Sequence, residues 1–170
     1  LDSMNIAADG LDTLPIPAAD QTGSVTFETG DATALQFEDD SFDAIICSEV
    51  QEHLPDYHAA LAEMRRVLKP GGRLCVSVPH AWPERICWQL APPPNGYAFE
   101  PGGHIRIFDE VDLKVSVERH GFNLVRRHHA HGIHVPYWRL KCAFWANEED
   151  HSWVKAYHRI MVGDLMKKQW

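Results

Sequence analysis

The sequence predicts an α/β fold in which a mostly parallel sheet is flanked by helices. Two short apolar runs of strand length, FDAIICS at 42–48 and RLCVSVP at 73–79, enclose PDYHAALAEMRRVL at 55–68, whose apolar residues have helical spacing. KPGG at 69–72 combines proline and glycine, which end helices. A strand, a helix and a second strand in succession are typical of a parallel sheet with a helical crossover.

The elements around this unit follow from the same local signals. Residues 25–30, VTFETG, alternate in polarity and end in glycine, so a further strand is expected there. Beyond the second strand of the unit, a segment rich in proline, glycine and aromatic residues predicts an excursion with a helical turn near 83–91. Residues 109–122 predict a short helix, and 122–129 predict another strand. Helices are also expected in two C-terminal stretches, 137–145 and 153–168.

Length and composition restrict the class of protein. A chain of 170 residues is long enough for one domain with a proper core. The net charge of −8 argues against a broad phosphate-binding surface, so no nucleic-acid partner is expected. No apolar run reaches the ~18 residues of a membrane span and no signal peptide is evident, so a cytoplasmic protein is expected. The basic tail MKKQW leaves contact of the C-terminal helices with a membrane surface as an open alternative.

Two longer stretches carry a resemblance to a known family. GDATALQFEDDSFDAIICSEVQEHL and EMRRVLKPGGRLCVSVP resemble the class I S-adenosylmethionine-dependent methyltransferases of the type 11-like group, and the likeness covers about residues 25–79. A looser match continues to residue 122. The resemblance implies a Rossmann-like sheet, S-adenosylmethionine as cofactor and methyl transfer to a small-molecule acceptor, with a hydroxyl oxygen as the expected target and nitrogen or carbon as the alternatives.

The resemblance also implies a domain organisation. Residues 1–130 are expected to form a partial methyltransferase core, and 131–170 a helical extension of the same domain. Residues 80–108 are expected to be an insertion that caps the cleft. No Gly-rich loop occurs ahead of residue 25, and a closing antiparallel hairpin is not evident. We therefore expect a piece of a longer protein, incomplete in its first strand and in its last. A non-catalytic scaffold or partner-dependent subunit is the alternative.

The cofactor-binding residues follow from the resemblance, position by position. It implies that the Asp31 carboxylate accepts a hydrogen bond from the adenine amino group and that the Ala32 amide faces a ring nitrogen. The alternative for Asp31 is a loop carboxylate that caps a turn. Ligands of open parallel sheets lie beyond the carboxyl ends of the strands, which is where these loops fall. The full expected set, with Asp2 as a ribose-binding acid, is Asp2, Gly30, Asp31, Ala32, Ser48 and Glu49.

A group of ionisable residues follows the first strand of the unit. Glu49, Glu52 and His53 are spaced i, i+3 and i+4, so a helical turn would place them on one face. Their pattern resembles that of metal-dependent O-methyltransferases, which implies a Mg²⁺ or Mn²⁺ site with His104 as fourth ligand. His53, with Glu52, is the catalytic candidate. Three interpretations stay open: a metal site, His53 as a general base without metal, and a purely structural cluster. RNA 2′-O-methylation is disfavoured by the acidic net charge.

Overall fold

The computed structural model describes residues 26–91, 96, 102–129, 135–147 and 151–161. Within them a two-stranded parallel sheet is flanked by helices, which confirms the predicted α/β class. The elements in chain order are β1 (Phe42–Ser48), α1 (Tyr57–Val67), β2 (Leu68–Ser77), α2 (Ala81–Leu90), α3 (Glu110–Arg119), α4 (Val135–Ala143), a 3₁₀ turn (Trp145–Asn147) and α5 (Ser152–Ile160).

The β1–α1–β2 unit forms the centre of the described structure. The two strands pair in parallel with Ser48 opposite Ser77, so their carboxyl ends lie side by side. Asp56 caps α1 by accepting a hydrogen bond from the Ala59 amide at 3.0 Å. The helix covers one face of the sheet through a buried cluster of Cys47, Ala60 and Met64. This arrangement fits the apolar spacing read from the sequence.

No loop separates α1 from β2, because the KPGG residues at 69–72 already lie within β2. Helix α1 ends at Val67 and β2 begins at Leu68, so the strand starts five residues earlier than the predicted 73. Gly71 has φ +79°, a conformation that glycine adopts at low cost. Gly72 lies where a side chain would meet the backbone of both strands. The turn therefore needs its two glycines for different reasons.

Two predicted strands are wrong in the described residues. Residues 26–30 have irregular backbone and are exposed; residue 25 lies outside the described part. Residues 122–129 are also irregular, and Val125 is 94% exposed. Alternation in polarity is only half of what a strand needs, because its backbone N–H and C=O groups must pair with a neighbouring strand. Neither segment pairs with another strand in the part of the chain that the structure describes.

Helices dominate the C-terminal half of the described chain. Helix α2 runs for 10 residues, where the sequence predicted a single turn. Helix α3 falls within its predicted stretch, and α4 and α5 begin two residues and one residue before theirs. Helices α2 and α4 pack together through Cys87, Ala91 and Cys142. None of the described helices is long and apolar enough to cross a membrane. Residues 162–170, with the MKKQW tail, lie outside the described residues, and the domain boundaries stay predictions.

Arg66 anchors the connector that precedes β1. Its guanidinium donates to the carbonyl oxygens of Leu35 at 2.9 Å and Phe37 at 2.8 Å, and it pairs with the Asp39 and Glu63 carboxylates. Glu63 in turn accepts a hydrogen bond from the Leu35 amide at 2.9 Å. One planar guanidinium thus holds the connector against α1, and a lysine ammonium could not reproduce this fork.

Replacing Arg66 with methionine is expected to free this connector while the β1–α1–β2 unit stays folded. The Leu35 amide should exchange its hydrogen roughly tenfold faster or more, because the local opening of the connector loses its anchor. Hydrogen exchange measured by NMR checks this. Lys69→Met is the matched control, since Lys69 makes one exposed ion pair with Asp43 at 2.9 Å. Equal exchange rates at Leu35 in the two variants would contradict the anchoring role.

Candidate active site

The loop after β1 buries a carboxylate that has no hydrogen-bond partner among the described residues. Glu52 is 1% exposed, and neither of its carboxylate oxygens accepts a hydrogen bond from the described residues. Leaving a buried acceptor unpaired costs free energy, and more so when the group is charged. Gln51 beside it is also fully buried; its amide nitrogen lies 3.3 Å from the Cys47 sulfur, and its Oε1 accepts no hydrogen bond from the described residues. The unpaired oxygens of Glu52 therefore call for a functional explanation.

Two histidines approach the same oxygen of Glu52. The distance from Glu52 Oε1 is 3.8 Å to His53 Nε2 and 3.9 Å to His104 Nε2. The two imidazole rings meet edge to face with centroids 4.7 Å apart. His53 Nδ1 lies 3.1 Å from the Gly103 carbonyl oxygen, which can only accept, so the proton of this pair belongs on Nδ1. The neutral His53 ring then directs its Nε2 lone pair toward Glu52.

His104 reaches this position because its segment is tied to the loop after β1. The Ile105 amide donates to the Glu52 carbonyl oxygen at 2.9 Å. Arg106 donates to the Pro55 carbonyl oxygen at 2.9 Å, and its guanidinium lies 4.6 Å from the centre of the Tyr57 ring. These contacts join two segments that are about fifty residues apart in the sequence.

Burial sets the electrostatics of the group. Desolvation raises the pKa of Glu52 to about 7, with further upward contributions from the Glu49 and Glu84 carboxylates. The loop backbone and His104 act in the opposite direction and only reduce the effect. For His104, burial disfavours the charged ring, but the neighbouring carboxylates, first of all Glu84, outweigh it and raise the pKa. Within this group the Glu52 carboxylate therefore exchanges its proton near neutral pH.

The structure brings together three of the four predicted metal ligands. One ligand atom each from Glu52, His53 and His104 lies within 4.8 Å of the others. Glu49 lies outside this group, because its carboxylate accepts a hydrogen bond from the Ser77 hydroxyl at 2.8 Å. Its backbone has φ +54°, an uncommon conformation for a residue with a side chain. Such strain directly after a strand directs the loop away from the sheet.

Of the described cofactor candidates, Asp31 and Ala32 lie in the connector before β1, and Ser48 and Glu49 lie at its carboxyl end. Asp31 Oδ1 accepts hydrogen bonds from the Thr33 amide at 2.8 Å and hydroxyl at 2.7 Å, which is the turn-capping role expected as its alternative; these bonds lower its pKa. Ala32 packs against the buried cluster around Cys47. The Ser48 hydroxyl lies 2.8 Å from that of Ser77.

Gly30 and Asp2 are the remaining two predicted cofactor-binding positions. Gly30 helps to line a cleft together with Glu28, Thr29, Ala32, Leu35, Gln36 and Phe37. A methyl group added at Gly30 would meet only the Gln36 side chain, at an ordinary 3.8 Å. Asp2 lies outside the described residues.

Sequence reasoning missed Glu84. Its carboxylate lies on α2, only 6% exposed, and its Oε1 is 2.6 Å from His104 Nδ1 and 2.9 Å from Trp88 Nε1. One signal was available: α2 directly follows β2, and the carboxyl ends of adjacent parallel strands meet at one edge of the sheet. Residues just after 77 are therefore close to those just after 48. Nothing local distinguished Glu84 from an exposed helical glutamate.

The comparison with known families agrees with this layout. A family model described as a methyltransferase domain matches residues 6–76. This match supports the resemblance of this stretch to the class I S-adenosylmethionine-dependent methyltransferases. This methyltransferase domain includes β1, α1 and nearly all of β2, and it includes Glu52 and His53 but not Glu84 or His104.

Curated relatives share the same stretch. The chain is 53% identical over 51 residues to a demethylmenaquinone methyltransferase of Deinococcus radiodurans, covering 30% of this chain and 21% of that protein. It is 47% identical over 53 residues to the methyltransferase GfsG of Streptomyces halstedii, covering 31% and 19%. It is 49% identical over 59 residues to the ubiquinone/menaquinone biosynthesis C-methyltransferase UbiE of Paracoccus denitrificans, covering 35% and 24%. The chain thus matches about a quarter of the length of these relatives or less.

Proposed function

We propose that this methyltransferase domain belongs to an enzyme that transfers the methyl group of S-adenosylmethionine to a small molecule bearing a hydroxyl group. The observation that carries the proposal is the convergence of Glu52, His53 and His104 beside the carboxyl ends of two parallel strands. Ligands of such sheets bind at this edge. A buried carboxylate with unpaired oxygens beside two imidazoles is suited to accept or hold a proton from an acceptor hydroxyl.

The cofactor would be held by the loops at residues 30–32 and 48–49. When bound, S-adenosylmethionine supplies a methyl group on a positively charged sulfur. Asp31 is exposed and its pKa is lowered, so its carboxylate stays ionised and can accept a hydrogen bond from an amino group. The task of the chain is to hold donor and acceptor in line at short range, since proximity and alignment supply most of the catalysis in a displacement of this kind.

The acceptor we propose is a hydroxylated aromatic ring of the hydroquinone type. Two of the relatives are named for demethylmenaquinone methylation and for C-methylation in ubiquinone and menaquinone biosynthesis. Those names favour carbon as the methylated atom over the hydroxyl oxygen that the sequence suggested. Removing a proton from a ring hydroxyl places negative charge on the oxygen and on the neighbouring ring carbon. The same base therefore serves either outcome, and the position of the ring relative to the methyl group decides between them.

A divalent cation between Glu52, His53 and His104 is the second part of the proposal. Metal ions bound to nitrogen and oxygen at about 2.1 Å bring their ligand atoms within about 3–4 Å of one another. The distances of 3.8 and 3.9 Å from Glu52 Oε1 to the two Nε2 atoms fit this range. Two imidazoles with one carboxylate suit Mn²⁺ better than Mg²⁺, which prefers oxygen ligands. The ion would act as a Lewis acid toward the acceptor hydroxyl.

Calorimetry and turnover test these proposals separately. Titration of the protein expressed from its complete reading frame with S-adenosylmethionine is expected to show binding, and incubation with a 1,4-naphthoquinol and labelled cofactor is expected to yield a labelled ring. EDTA should suppress turnover and Mn²⁺ should restore it. Absence of cofactor binding would overturn the enzyme proposal in favour of a scaffold. If EDTA leaves turnover unchanged but His53→Gln abolishes it, the metal proposal is overturned and His53 remains as the base. His128→Gln, at an exposed position, is the matched control.

A further inference from the structure

Glu84 connects helix α2 to the candidate active site from outside the matched family region. One oxygen, Oε1, accepts hydrogen bonds from both Trp88 Nε1 at 2.9 Å and His104 Nδ1 at 2.6 Å. The side chain is 6% exposed, so water competes little for these bonds. Trp88 follows one helical turn later, which places donor and acceptor on one face of α2.

We propose that Glu84 is a positioning residue that fixes His104 with its ring proton on Nδ1 and its Nε2 lone pair toward Glu52. A carboxylate only accepts hydrogen bonds, so the atom of His104 that faces it must carry hydrogen. In the neutral ring, Nε2 then remains an acceptor, and it is this atom that lies 3.9 Å from Glu52 Oε1. Outer carboxylates of this kind orient histidine ligands and set their tautomer.

The His53 ring is oriented in the same way, but by a backbone carbonyl oxygen in place of a carboxylate. Its Nδ1 faces the Gly103 carbonyl oxygen at 3.1 Å, and its Nε2 faces Glu52. Both imidazoles therefore present Nε2 to one carboxylate oxygen while an acceptor holds each Nδ1. An ordinary buried ion pair between Glu84 and His104 would not require the second histidine to have the matching orientation.

The position of Glu84 is itself held by packing of the helices. Cys87, one turn from Glu84 on α2, is 3% exposed and packs with Ala91 and Cys142. Helix α4 therefore supports the face of α2 that carries Glu84. Rigid support is what a positioning residue needs, because a loose carboxylate would let the His104 ring turn.

The test is the tautomer of His104 in the metal-free protein at pH 8.5, read from the two ring nitrogens in a long-range ¹H–¹⁵N spectrum. The wild type is expected to show hydrogen on Nδ1 and no hydrogen on Nε2. Glu84→Gln is expected to give a mixture of tautomers and a roughly 10–100-fold loss of Mn²⁺ affinity. Glu84→Asp should recover part of both, and Trp88→Phe should retain most of both. Glu118→Gln, at an exposed position on α3, is the control.

The possible results distinguish this inference from the proposed function. Only the Mn²⁺ measurement rests on that function. A wild-type His104 with hydrogen on Nε2 would overturn the inference, and the tautomer measurement needs no variant to fold and no cofactor or acceptor. An unchanged tautomer in a folded Glu84→Gln protein would also overturn it. Loss of methyl transfer with the Nδ1–H tautomer intact would instead count against the proposed function alone.

Discussion

Replacing Glu52 with glutamine is expected to stabilise the metal-free protein and to disable its site in the same step. Above pH 7 the wild type buries an ionised carboxylate that accepts no hydrogen bond from the part of the chain that the structure describes, and glutamine removes this charge with little change of shape. The pKa of Glu52 rises from 4.5 to about 7 on folding, which corresponds to up to about 3 kcal/mol of free energy. A protein often becomes more stable when a residue of its binding site is replaced, because such residues are selected for function and not for stability.

The pH dependence of this effect has a definite sign. Between pH 4.5 and about 7 the folded protein holds a proton on Glu52 that the unfolded chain has released. The free energy of unfolding of the wild type therefore falls as the pH rises through this window. The Glu52→Gln protein lacks this contribution, so its advantage is absent below pH 4.5 and complete above pH 7.

Urea unfolding in EDTA at pH 4.5, 6 and 8 measures this difference. Glu118→Gln is the control, because it also removes one negative charge but from an exposed helical position. The same Glu52→Gln protein should lose about 100-fold or more in turnover with the naphthoquinol acceptor, as expected for removal of a catalytic acid–base group. A variant that is less stable than the wild type at pH 8 would show that the Glu52 carboxylate has partners that stabilise its charge.

Gly72→Ala is expected to cost about 3 kcal/mol of the free energy of unfolding, because the added methyl group has no room. Its Cβ would lie 2.8 Å from Leu68 Cγ, 2.9 Å from the Lys69 carbonyl oxygen and 3.0 Å from the Asp43 carbonyl oxygen. The Asp43 oxygen is on β1 and the Lys69 oxygen is on β2 itself, so relief requires the strands to separate and the KPGG backbone to distort. Pairing at the Phe42 end of β1, where the register already shifts, should fail first.

Thermal and urea unfolding of three alanine variants check this reasoning. Gly71→Ala meets nothing within 4 Å but must adopt φ +79°, so a loss of about 1 kcal/mol is expected from the backbone alone. Gly30→Ala makes one ordinary contact and should be close to neutral. A loss at Gly72 no greater than that at Gly71 would mean that the close approach of the strands is not what requires this glycine.

Local patterns predicted the central unit well. The run FDAIICS, the helical spacing through Leu61 and Met64, and the KPGG stop each act over a few residues, and all three appear as predicted. The second strand began earlier than expected, because Leu68, directly before KPGG, already pairs with Phe42 of β1. The predicted strands at 25–30 and 122–129 were wrong in their described residues, since no neighbour pairs with them there.

The sequence by itself determined the α/β class, the β1–α1–β2 order and the loop that carries Glu52 and His53, because periodicity and helix-stop signals are local. Only the tertiary structure decided that Glu49 turns toward Ser77, that His104 joins Glu52, and that Glu84 holds His104. These contacts join residues that are 20 to 52 positions apart. Their formation depends on how the segments pack around the ends of the strands, and no short pattern records that packing.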